Sequence, residues 1–122
     1  MKSEDVAKKK KWLWPEELDA LRAAGEYHRL VFENAHVRVL EVKIAPGRVV
    51  PVHTHRWPSL AHTESWSDFV RRDADGNVTL DTRQAGPPPK TQWLEPMAPH
   101  SVENVGAGEI RVYVTELKDT AD

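Results

Sequence analysis

Apolar residues recur along this chain with two different periods. From Trp14 to Leu21 the intervals are four and three, placing Trp14, Leu18 and Leu21 on one face of a helix. Pro15, Glu16 and Glu17 suit its first turn, where proline's missing N–H costs nothing and acids complement the helix dipole. The pattern predicts a helix over 15–24 with Gly25 as a left-handed stop. This helix is an arm whose apolar face must dock, either on its own domain or on a second subunit.

From Tyr27 onward the period shortens to that of strands. Leu30-Val-Phe-Glu is one run, and Asn34-Ala turns into His36-Val-Arg-Val-Leu-Glu-Val-Lys-Ile. Pro46-Gly47 breaks that strand. Val49-Val-Pro-Val-His-Thr-His follows, and Pro51 assigns it to a sheet edge or a bulge, because proline cannot donate to a ladder. After Pro58 a run extends to about Arg72, and Asp73-Ala-Asp-Gly-Asn reads as a hairpin turn into Val78-Thr-Leu. Gly86-Pro-Pro-Pro is a stiff extended loop. Runs at Thr91 to Leu94 and Ser101 to Asn104 precede the last strand, Ile110 to Leu117. Seven or eight short strands behind one helix predict an all-β sandwich or barrel, divided as 1–25 tail and helical arm, 26–118 barrel and 119–122 tail.

Composition narrows the chemistry. At 122 residues the chain is long enough for one self-sufficient core, and 39% hydrophobic with 30% charged residues is ordinary globular usage. A net charge of -2 gives no basic field for wrapping nucleic acid, so a small molecule is the expected partner. The lysines at 8–11 read as a solvated, frayed terminus. No cysteine is present, which excludes disulfides, zinc thiolates, iron–sulfur ligation and thiol nucleophiles. With no apolar run of the roughly 20 residues a membrane span needs, and no secretory signal at the start, a cytoplasmic location without membrane attachment is expected.

Histidine is therefore the candidate metal ligand. Residues two apart in a strand share a face, so His53 and His55 can converge on one ion. His28 and His36 read as surface or turn histidines.

The stretch Pro46-Gly47-Arg-Val-Val-Pro-Val-His53-Thr-His55 resembles the first motif of the cupin superfamily, a glycine, five residues, then His-x-His. Pro99-His100-Ser-Val-Glu-Asn104-Val-Gly106 is similar to the end of its second motif. The resemblance implies a cupin-type double-stranded β-helix, or jelly-roll barrel, with His53, His55 and His100 around a divalent transition metal such as Fe, Zn, Ni or Mn. It also implies a homodimer as the expected assembly. The motif's glutamate is missing, since Ser59 and Leu60 stand where it should fall. If the strand after Pro58 alternates strictly, then Leu60, His62 and Glu64 all point the same way, into the barrel with the ligands, and His62 or Glu64 can replace the glutamate. Trp57, Leu60 and Trp93 are candidate pocket walls, with Trp66 at the mouth and Glu103 and Arg111 as possible polar pocket residues.

Three neutral imidazoles would leave an ion its full charge and an open position, which suits a metal-dependent enzyme on a small molecule, of oxygenase, isomerase or lyase type. The alternative is a barrel that binds or senses a small ligand without turnover. A metal-free interaction scaffold ranks last, because it leaves the spacings of both motifs unexplained.

Overall fold

The computed structural model describes residues 12–118; the lysines at 8–11 and the tail 119–122 lie outside them. Nine strands are present among the described residues: β1 His28–Glu33, β2 Val37–Ile44, β3 Val49–His53, β4 Ser59–Ser65, β5 Phe69–Asp73, β6 Val78–Asp81, β7 Thr91–Leu94, β8 His100–Asn104 and β9 Ile110–Leu117. They form a five-stranded sheet, β1-β2-β9-β4-β7, and a four-stranded sheet, β3-β8-β5-β6, with every pair antiparallel. No described helix is long and apolar enough to cross a membrane.

Turn chemistry sets the local connections. The Asn34 carboxamide oxygen accepts from the N–H groups of His36 and Val37, closing the β1–β2 hairpin. Asp73 does the same for Asp75 and Asn77, and Gly76 at φ 91° supplies the left-handed residue of the β5–β6 turn. Strand β3 edges its sheet, and its register shifts between Val50 and His53, around Pro51. A short helix absent from the sequence reading, α2 (Thr82–Ala85), follows β6, with the Asp81 carboxylate accepting from the Arg83 N–H at its N-terminus.

The arm departs from a single helix. A 3-10 turn at Glu16–Leu18 and a one-turn α1, Ala20–Ala23, are separated by an extended Asp19. The reason is local competition for Asp19. Arg38 of β2 takes its carboxylate, while the backbone on either side pairs with Thr54: Thr54 N–H donates to Leu18 O at 2.7 Å and Ala20 N–H to Thr54 O at 3.0 Å. Gly25 is not left-handed. It is glycine because a Cβ there would lie 2.7 Å from the Leu21 carbonyl oxygen.

The hydrophobic core lies at one end of the barrel, where Ala24, Tyr27, Ile44, Val50 and Ile110 pack together. Asn104 braces this end. Fully buried, it donates to the carbonyls of Ile44 and Gly108, both at 2.8 Å, and accepts from Ser67 Oγ and Gly106 N–H. Gly106 is required because a Cβ would stand 2.8 Å from the Asp68 amide nitrogen.

On the outer face of the larger sheet the register aligns Phe32, Val39, Thr115, Leu60 and Trp93 in one row across all five strands. Leu60 and Trp93, expected in the pocket, are therefore outside it and nearly half exposed. The alternation in β4 is strict, but its phase is opposite to the one expected: Ser59, Ala61 and Thr63 face inward, and Leu60, His62 and Glu64 face out. The barrel interior at this level is a cavity and not packed core, so small side chains face in and large ones face out.

Candidate metal centre

Four histidines line one cavity of the barrel, and three of them, His28, His53 and His55, form a close group that His100 stands beside. His53 ends β3, His100 begins β8, and the two are register partners across the smaller sheet. His55 lies two residues beyond His53 in the loop after β3. His28 begins β1, opposite Val42. The fourth was expected at the surface, yet His28 is 4% exposed. Candidate ligand nitrogens of His28, His53 and His55 all lie within 4.8 Å of one another. The His100 ring centroid is 4.7 Å from that of His53.

The hydrogen bonds on the far side of each ring decide what this cluster can do. Nδ1 of His28 faces Ala24 O at 3.0 Å, that of His53 faces Pro51 O at 2.8 Å, and that of His100 faces Ala98 O at 2.9 Å. Nδ1 of His55 faces Glu116 Oε2 at 2.6 Å. A carbonyl oxygen only accepts, so Nδ1 carries the proton in each neutral ring and Nε2 keeps its lone pair. Burial disfavours the protonated form. It pushes the pKa of His28 to about 4, His53 to about 2 and His100 to about 4, with the neighbouring imidazoles adding to the effect. Buried, neutral rings with backed Nδ1–H groups and free Nε2 atoms fit a divalent transition metal.

Glu116 links this cluster to a buried charge chain. Its other oxygen accepts from Arg38 Nε at 2.6 Å, and the Arg38 guanidinium grips Asp19 in a two-pronged bond at 3.0 and 2.8 Å. Burial opposes ionisation of Asp19, but the bonds and charge of Arg38 outweigh it and hold the carboxyl below its usual range. In return the two carboxylates keep Arg38 firmly protonated despite its burial. Trp57 closes the group, with Arg38, Lys118 and Arg56 at 5.1, 5.4 and 5.8 Å from its ring.

Below the histidines lies a cavity of about 150 Å³, lined mainly by apolar side chains such as Val42, Val102, Val112 and Leu94. Trp57, Trp66 and Phe69 are its aromatic walls, and Ser59, Thr63, Arg71 and Gln92 its polar ones. Glu95 lines its rim, where it holds the indole N–H of Trp93.

The residues proposed as substitutes for the missing glutamate are not in this cavity. His62 Nδ1 bonds Thr91 Oγ1 on the outside, and its Nε2 lies 3.4 Å from Glu64. Glu103 pairs with Arg72 and Arg111 with Glu41, again on outer faces. Ser59, at the glutamate's position, does face inward and is 3% exposed. The added imidazole comes instead from His28. Nothing local in the sequence marks it, since the rest of β1, including Leu30, Val31 and Phe32, is exposed and inverts the usual hydrophobic signal.

No family model matches the chain, and no curated protein is recognisably similar in sequence. Solved structures do resemble it. A cupin domain from Bordetella pertussis superposes with a TM-score of 0.61 at 19% identity, covering 75% of this chain and 91% of its own. A cupin with a double-stranded β-helix from Methanocaldococcus jannaschii gives 0.55 at 9% identity over 74% and 77%. The polyketide cyclase RemF from Streptomyces resistomycificus gives 0.54 at 15% identity over 89% and 80%. With two antiparallel sheets wrapped around a histidine-lined cavity and these neighbours in structure, the chain has the cupin fold, a double-stranded β-helix.

Proposed function

We propose that this chain is a metal-dependent enzyme acting on a small organic molecule, of oxygenase, isomerase or lyase type. The observation that carries the reading is the shared orientation of His28, His53, His55 and His100, whose Nδ1 groups all face oxygen acceptors around one cavity. His53, His55 and His100 would hold the ion, and His28 would stand in for the absent carboxylate. Such a set suits iron, zinc, nickel or manganese. A bound divalent ion would polarise a substrate oxygen or acidify a water.

The chain's own residues supply the rest. Glu116 accepts the Nδ1 proton of His55, which fixes the ring and makes its Nε2 a better donor. Trp57, Trp66 and Phe69 give the cavity aromatic walls, and Ser59 and Thr63 offer hydroxyls to an oxygen-bearing ligand. Purified protein is expected to carry about one transition-metal ion per chain by elemental analysis. His53→Ala and His100→Ala should lose it, and His28→Ala should weaken metal affinity at least about tenfold. Protein that takes up no metal, and whose unfolding midpoint does not rise when metal is added, sinks the reading.

One observation favours a non-catalytic binding or sensing barrel. The only carboxylate lining the cavity among the described residues is Glu95, at its rim, so no acid–base carboxylate stands deep inside. Turnover of a bound compound decides for the enzyme, and saturable quenching of tryptophan fluorescence with no product decides for the sensor.

A further inference from the structure

Among the described residues Arg71 is the one lysine or arginine that lines the cavity. Its neighbour Arg72 pairs with Glu103, and Arg38, Arg56, Arg83 and Arg111 likewise hold carboxylates. The Arg71 guanidinium has no hydrogen-bond or ion-pair partner among the described residues; it lies 5.8 Å from the Phe69 ring, and its charge helps to hold the His100 pKa down. It lies in an inward row with Val50 and Val102, so the charge stands among apolar side chains. Burial alone pulls its pKa down, with no nearby carboxylate to offset it. A guanidinium held partly out of water without a partner destabilises the fold, and a planar anion is the group that would satisfy its fork of N–H donors.

We infer that the cavity takes a small organic carboxylate, whose anionic end pairs with Arg71 while its apolar body lies against Phe69, Trp66 and Val112 and its far end reaches toward the histidines. The inference rests on reading the cavity as the ligand site and adds the class of ligand. Size supports it, since a cavity of about 150 Å³ admits a body of about one six-membered ring. The planar fork of the Arg71 guanidinium matches a planar carboxylate. Inorganic phosphate has no apolar body to lie against these walls.

The test is calorimetric titration of full-length protein, metal-loaded and chelator-treated, with acetate, butyrate, benzoate, the neutral isostere benzamide, and inorganic phosphate. Affinity should rise from acetate to benzoate, and benzamide should bind at least about tenfold more weakly than benzoate. Arg71→Gln should lose that preference and retain an unfolding midpoint at or above the parent's, while Arg71→Lys keeps part of the preference. The discrimination should persist without metal, which separates this inference from the metal reading. Equal binding of benzoate and benzamide, no binding of any carboxylate, tighter binding of phosphate, or unchanged benzoate affinity in Arg71→Gln overturns it. Benzoate binding that needs metal but not Arg71 overturns it as well.

Discussion

Each buried imidazole carries a consequence for stability as well as for ligation. His28, His53 and His100 are at most 6% exposed, and burial holds their pKa values well below the free value of about 6.5. Between pH 6.5 and about 4 the unfolded chain binds protons that the folded chain refuses, so stability must fall as pH falls through that window. Above it the three groups are neutral in both states and contribute no slope. Metal-free protein should therefore lose on the order of 1 kcal/mol per pH unit for each imidazole, read from urea midpoints at pH 7.5, 6 and 5. A flat profile would mean that the rings are solvated. At this scale the sequence was partly legible. The two-residue spacing of His53 and His55 needs only strand geometry, but His28 and Arg71 become neighbours of the site through cross-strand pairing that no local pattern records.

At the level of elements, phase matters more than periodicity. Strand β4 was readable as an alternating strand, and β3 as an edge or a bulged strand at Pro51, because both follow from backbone chemistry; the structure shows both features in β3. Which face of β4 turns inward was not readable, because hydrophobic patterning assumes that the inside is a packed core. Here Ser59, Ala61 and Thr63 leave space for a cavity, while Leu60 joins the outer apolar row. The loop from Asn104 to Gly108 offers an element-scale test of the closed end. Asn104→Ala leaves two buried carbonyls, a hydroxyl and an N–H without their partner and should cost at least about 3 kcal/mol by chemical denaturation. Gly106→Ala should also destabilise, since the Asp68 backbone cannot easily move away. Neither change should reduce metal affinity, because the loop brackets the core and contains none of the four histidines.

Across the whole molecule, the arm and the histidine cluster are one mechanical unit. Asp19 reaches His55 through Arg38 and Glu116, and the arm backbone pairs on both sides of Thr54, the residue between His53 and His55. Arg38→Met should cost about 3–5 kcal/mol, because it strands two buried carboxylates, and equilibrium denaturation will show it. A subtler effect follows from the same wiring. If the seated arm steadies the two rings, then an ion gripping the rings must steady the arm by an equal free energy. Limited proteolysis at Arg22, exposed on α1, should accordingly slow when metal is added, and Asp19→Asn should abolish that protection while leaving the barrel intact. The short N-terminal segment would then serve as a gauge of occupancy, displaying on the outer surface whether the chamber beneath it is filled.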